Sequence, residues 1–196
     1  MGDGMNFAKG TVKGSPYVGV FCSVTDEFCL VPFSTEQKEF KIIEEKLEAK
    51  AIRAMLGNTT LLGVLAKGLG NKFAVSGLAE QSEIRALERE GIDVLVLKEN
   101  YTATGNLLAM NKNAGIASTL FSDGTVKELK KFFGVKFEKM NVAENALAGA
   151  CITVTNKGLN ANPNISEKDF ERIESLFGVK GQATTANFGD LFVGNC

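Results

Sequence analysis

Apolar residues recur at helical spacing in four separate stretches of the chain. Val126, Leu129 and Phe133 fall at i, i+3 and i+7, and Phe170, Ile173 and Phe177 repeat that spacing. Each set marks a helix with one buried face. Phe40, Ile43 and Leu47, and the pair Ile84 and Leu87, give two weaker copies. The pattern predicts helices over roughly 35–48, 80–90, 123–133 and 166–177. Ser34, Asp123 and the Ser166-x-x-Asp169 spacing supply acceptors for the free N–H groups of a first turn. Gly134 and Gly178 stand where a helix ends through a left-handed residue, and Gly91 is the stop of the second helix.

Ahead of each helix, two short apolar runs bracket a polar turn. They span 18–24 and 28–33 about Asp26, 62–68 and 73–78 about Asn71, 106–110 and 114–118 about Asn111, and 150–155 and 159–163 about Asn156. Asp and Asn suit such turns because they tolerate positive φ and bond their own backbone. Extended runs such as Ile92–Leu97 and Val135–Phe137 follow the helices. The unit is therefore strand, strand, helix, strand. The tetrapeptide Phe133-Gly134-Val135-Lys136 recurs as Phe177-Gly178-Val179-Lys180, 44 residues on. Gly19, Gly63, Gly105, Gly149 and Gly194 follow the same period, each where a new copy opens. Units of this kind cannot bury both helix faces alone, so they stack in a line or a ring. The predicted domain is one repeat-built α/β body over 17–196, with copies at about 17–58, 59–104, 105–147 and 148–190 and a fifth beginning at 191–196. That fifth copy is expected to continue past Cys196. Residues 1–16 form a separate N-terminal segment, expected to supply a ring-closing strand from about residue 5.

Composition removes much chemistry. There is no histidine, which excludes His general bases, Ser-His-Asp and Cys-His nucleophiles and His-containing zinc sites. Cys22, Cys29, Cys151 and Cys196 contain no C-x-x-C pair, so a Cys-only zinc site has no support either. Cys22 and Cys29 read as small buried strand residues. Twenty-two basic against 23 acidic side chains leave a net charge of −1, so binding driven mainly by phosphate backbones, DNA included, is not expected. No stretch reaches membrane-spanning length, and nothing in residues 1–16 resembles a signal peptide. The expectation is a cytoplasmic, monomeric protein with reduced thiols and no cofactor. Gly63-x-x-x-x-Gly68 lacks the Gly-Lys-Ser/Thr ending of a phosphate loop and reads as part of a hairpin. The lysines at 127, 130, 131, 136 and 139 are a solvated helix face, with RNA contact as the alternative.

Taken in order, Tyr17-Val18-Gly19-Val20, Leu62-Gly63 with Asn71-Lys72, Thr104-Gly105-Asn106-Leu107, Val154-Thr155-Asn156-Lys157-Gly158, Gly181–Asn187 and Val193-Gly194-Asn195-Cys196 resemble the translation initiation factor 6 family in its archaeal form. None of these motifs is specific alone; their order and common period carry the resemblance. It implies a closed pentein-like ring with pseudo-fivefold symmetry, a fold shared with guanidine-modifying enzymes. It also implies a non-catalytic factor that binds the large ribosomal subunit on its intersubunit face, blocks premature joining and takes part in subunit maturation. The implied partners are a ribosomal protein surface beside the sarcin–ricin loop, a minor share of ribosomal RNA, and a release GTPase with its own partner. The candidate docking residues are Asn71, Lys72, Thr104, Gly105, Asn106, Asn111, Asn156 and Lys157. Each asparagine has the alternative reading of an ordinary turn residue. Two other functions stay open: a repeat scaffold for an unrelated protein, and, against the missing histidine, a guanidine-modifying enzyme.

Overall fold

The structure is a computed structural model that describes residues 10–196; the N-terminal strand expected from residue 5 lies largely outside them. The chain makes the same excursion four times. A single helical turn α1 (Val18–Phe21) leads into β1 (Ser23–Val24), β2 (Phe28–Pro32), helix α2 (Gln37–Leu47) and β3 (Lys50–Ala54). The second unit is α3 (Leu62–Leu65), β4 (Ala66–Leu69), β5 (Lys72–Ser76), α4 (Gln81–Arg89) and β6 (Asp93–Leu97). The third is α5 (Thr104–Leu107), β7 (Leu108–Met110), β8 (Ala114–Ala117), α6 (Asp123–Phe133) and β9 (Lys136–Lys139). The fourth is α7 (Ala148–Cys151), β10 (Ile152–Val154), β11 (Leu159–Ala161), α8 (Glu167–Phe177) and β12 (Gly181–Ala183), after which a fifth turn runs over Val193–Asn195.

Within each unit the first two strands form an antiparallel hairpin and the third pairs parallel to the second, as in Phe73↔Val94 and Gly115↔Phe137. A parallel return needs a crossover, and the helix provides it while covering the sheet. The helices wedge between neighbouring sheets. Leu87 of α4 packs with Leu30, Ile52 and Phe73, which come from two different sheets. Val126, Leu129 and Phe133 of α6 pack with Ala74, Leu97 and Phe137, and Ile173 and Phe177 of α8 with Ile116, Met140 and Ile152. Burying each side chain of this size contributes about 1.5–3 kcal/mol, so the wedges fasten neighbouring sheets together. By contrast α2 buries no residue fully, and Ile42 and Leu47 stay exposed.

Caps follow the expected chemistry with two shifts. Ser166 Oγ accepts from Asp169 N and Gly178 closes α8 at φ 66°. In α6 the cap is Ser122, one residue before the expected Asp123, because its Oγ reaches Thr125 N. Helix α2 begins after Glu36 with no side-chain cap, so Ser34 lies outside it.

The larger difference concerns the first run of each unit. It was expected to be a strand, yet its first half is a helical turn, and β1 keeps only two residues. Short apolar runs do not reveal by periodicity whether they are strand or helix. The glycines explain the turns. A Cβ built on Gly63 would stand 1.9 Å from the carbonyl oxygen of Gly19, and one on Gly105 would stand 1.8 Å from that of Gly63. Gly149 meets Gly105 O at 2.2 Å, Gly194 meets Gly149 O at 2.1 Å, and Gly19 meets Gly194 O at 2.5 Å in the same way. The five turns thus close a circle around a common axis, each backbone pressed on the next with no room for a side chain.

Three of the linkers into these turns carry two-residue loops, at 13–14, 57–58 and 143–144, while the last has three residues between Ala186 and Asp190. Val142 and Asn145 exchange backbone bonds of 3.0 and 2.9 Å around Ala143 and Glu144, at φ 51° and 59°. Positive φ at both positions favours Asn-Gly, and the left-handed region costs other residues about 1–2 kcal/mol each. The equivalent loop at Gly57-Asn58 already has better-suited residues. The double variant Ala143→Asn/Glu144→Gly should therefore gain about 1–2 kcal/mol, read as a higher urea midpoint with an unchanged slope. An unchanged midpoint would show that the loop is not strained.

Candidate functional site

The topology gives the ring two ends. At one end lie the hairpin turns at 25–27, 70–71, 111–113 and 155–158, together with the C-termini of the long helices. At the other lie the linkers into the axial turns, the ends of the second strands and the helix N-termini. Asn71, Lys72, Asn111, Asn156 and Lys157 all fall at the hairpin end, so the repeat does bring them to one face.

Most of these side chains are engaged in holding that face together. The last carbonyls of a helix have no partner within it, and hairpin donors supply one. Lys72 Nζ donates to Phe132 O at 2.7 Å, at the end of α6. Asn71 Nδ2 donates weakly to Gly91 O at 3.5 Å and to Asp93 Oδ2 at 3.4 Å. Asn111, expected on a docking surface, is only 2% exposed. Its Nδ2 donates to Phe177 O at 3.0 Å and Thr155 O at 3.2 Å, and its Oδ1 accepts from Asn113 N and Ala114 N. An amide with both donors and its acceptor engaged has nothing left for a partner. Asn156 Oδ1 accepts from Lys112 N at 2.9 Å while its Nδ2 bonds Asp26. Lys157 is exposed.

Thr104, Gly105 and Asn106 form the third axial turn. Thr104 and Gly105 are buried, so neither reaches a docking surface, and Thr104 Oγ1 finds no hydrogen-bond partner among the described residues. Asn106 is half-buried and lines a cavity on the axis. This funnel has a volume of about 240 Å³. Its floor is the ring of axial glycines, its walls are the first strands, and its rim includes Asp26, Asn111 and Asn156. Lys67 lines its wall; burial lowers the lysine pKa below its ordinary value. No histidine stands anywhere in the sequence, and three of the four thiols are held above the ordinary thiol pKa. A hydrogen bond with Cys22 and then burial raise the Cys29 pKa, and burial raises those of Cys151 and Cys196. Cys22 and Cys29 are both buried as expected, but only Cys29 lies in a strand, Cys22 standing between α1 and β1.

The linker end, which the sequence did not single out, has a different character. Six of the nine large apolar side chains exposed among the described residues lie there: Phe33, Leu61, Leu78, Tyr101, Phe188 and Leu191. Phe188 is 94% exposed at the tip of its loop. Glu99 braces this end, accepting from Ser122 N and Thr125 Oγ1. The Thr125 bond is the main cause that lowers its pKa. No periodic pattern could have flagged these residues, because they sit in irregular linkers.

The eIF-6 family model matches residues 7–196, nearly the whole chain. The chain belongs to the eIF-6 family. It is 32% identical over 198 aligned residues to translation initiation factor 6 of Pyrococcus horikoshii, covering 98% of this chain and 87% of that relative. The protein of the same name from Methanobrevibacter smithii is 34% identical over 185 residues, covering 94% and 83%. Among solved structures, dimethylarginine dimethylaminohydrolase from Pseudomonas aeruginosa, in complex with citrulline, superposes with a TM-score of 0.51 at 17% identity, covering 85% of this chain and 68% of that one. That likeness establishes the pentein-like ring and extends no further. Membership of the eIF-6 family makes this chain a translation factor. Among the described residues no helix is long and apolar enough to cross a membrane.

Proposed function

We propose that this factor binds the large ribosomal subunit on its intersubunit face, acts without catalysis, keeps the small subunit from joining and takes part in large-subunit maturation in the cytoplasm. The observation that carries the reading is the family match together with a two-ended ring, whose linker end exposes six large apolar side chains. Exposed apolar side chains gathered at one end of the ring favour a protein partner. The net charge of −1 favours a ribosomal protein beside the sarcin–ricin loop over RNA alone, with RNA a minor contact. A release GTPase and its partner would then free the subunit. We place the docking surface at the linker end, and not at the hairpin amides, because Lys72, Asn111 and Asn156 spend their polar groups inside the fold.

Sucrose-gradient co-sedimentation with isolated large subunits, followed by addition of small subunits, tests this. The protein should travel with the large subunit and reduce the joined fraction. Tyr101→Glu/Phe188→Glu should weaken binding at least about tenfold, because carboxylates would be desolvated in an apolar contact. Asn71→Ala/Lys157→Ala should bind as the parent does. Loss in the second variant and not the first would move the site to the hairpin end. No binding by the folded parent would overturn the reading altogether.

A further inference from the structure

We propose that the axial funnel is a binding site for a small oxyanion, a carboxylate or a phosphate, held by Lys67 and Asn106. The argument begins with the repeat. Four residues beyond the axial glycine the successive units carry Ser23, Lys67, Ala109 and Thr153. The two hydroxyls are consumed by neighbouring backbone: Ser23 Oγ donates to Ala66 O at 3.0 Å, and Thr153 Oγ1 to Val193 O at 2.6 Å. Only the second unit places a charged group at this level. One residue beyond the glycine the series is Val20, Val64, Asn106, Ala150 and Asn195, so the third unit carries an amide where the units on either side have an apolar residue. Lys67 and Asn106 come from adjacent units and line the same cavity.

Neither side chain makes a hydrogen bond or an ion pair among the described residues. A half-buried ammonium without a carboxylate forfeits much of its hydration and recovers nothing from the protein. The lowered pKa of Lys67 reports the same cost. The other polar groups around it do not offset it. Asp26 stands at the rim, bonded by Asn156, and Asn111 donates outward to Phe177 and Thr155. An oxyanion against Lys67 would neutralise the charge and accept from the Asn106 amide, which is a charge-assisted pair reinforced by a neutral donor. The cavity, about 240 Å³, holds an ion of acetate or phosphate size with several waters, and falls below the range usual for drug-sized ligands.

The test is a nuclear magnetic resonance titration of the full chain with sodium acetate and, separately, inorganic phosphate, against sodium chloride at matched ionic strength. The expected result is saturable shifts of the Asn106 side-chain amide and the Gly105 backbone amide, at about millimolar affinity. The arm with tighter binding identifies the oxyanion. Lys67→Met should weaken that binding at least about tenfold while Lys67→Arg preserves it. Thermal melts of both variants show that each is folded. Shifts that fail to saturate, equal shifts with chloride, or equal affinity in Lys67→Met would each overturn the assignment.

Discussion

Gly105→Ala should unfold or severely destabilise the protein, with a loss of about 3 kcal/mol or more and a fall in melting temperature of roughly 6–12 °C. The added Cβ would lie 1.8 Å from Gly63 O and 2.7 Å from Ala66 O, both backbone atoms. A flexible side chain could swing away from such a clash. Backbone inside a closed circle can move only if its neighbours do, so relief at one turn transfers the strain to the next. The same reasoning covers Gly63, whose Cβ would meet Gly19 O at 1.9 Å. Gly124→Ala is the control. Gly124 lies in the first turn of α6, and its nearest neighbour would be Ser122 Oγ at 3.6 Å. Alanine there restricts the unfolded chain and favours helix, so a gain of about 0.5 kcal/mol is expected. Thermal melts followed by circular dichroism separate the two. A Gly105→Ala protein that melts with the parent would mean that the axial turns are not in rigid contact.

The long-range pattern was legible because it rests on burial. Val126, Leu129 and Phe133 had to face a core, and so did Ile173 and Phe177. Their spacing and the glycine stops located α6 and α8 to within a residue or two. The recurrent glycines could be counted from sequence, yet their purpose could not, since only the assembled ring shows which carbonyl each one meets. The hairpin asparagines illustrate the opposite difficulty. Asn111 and Asn156 have the residue type suited to a docking amide and to a turn alike, and only the fold shows which groups lie within reach of each. For Asn111 that group is Phe177 O, 66 positions away in sequence. Lys67 stands out only when it is set beside Ser23 and Thr153 at the same level of the repeat. The linker patch around Tyr101 and Phe188 has no period at all, so only the fold gathers it.

Asn111→Asp should cost about 3 kcal/mol or more at neutral pH, and the loss should shrink in acid. The substitution keeps the shape and the oxygen that accepts from Asn113 N and Ala114 N. It replaces the Nδ2 donor with a second carboxylate oxygen, facing Phe177 O and Thr155 O, which lie 3.0 and 3.2 Å from Nδ2 in the parent. Two carbonyls and the negative end of α8 would then confront a buried anion. The folded protein resists ionising this carboxyl, so its folded pKa rises above its unfolded value. A group raised in this way contributes its stability below the unfolded pKa and loses it as pH climbs through the folded one. The variant should therefore approach its parent near pH 4, where the protonated carboxyl donates again, and fall away from it toward pH 7. Asn111→Leu tests the alternative. It cannot donate at any pH, so its deficit against the parent should stay level across the same range. Urea melts of the three proteins at both pH values give the comparison, and a pH-independent gap for Asn111→Asp would mean that its carboxyl reaches water. That result would return Asn111 to the surface of the hairpin end, where a partner could use it.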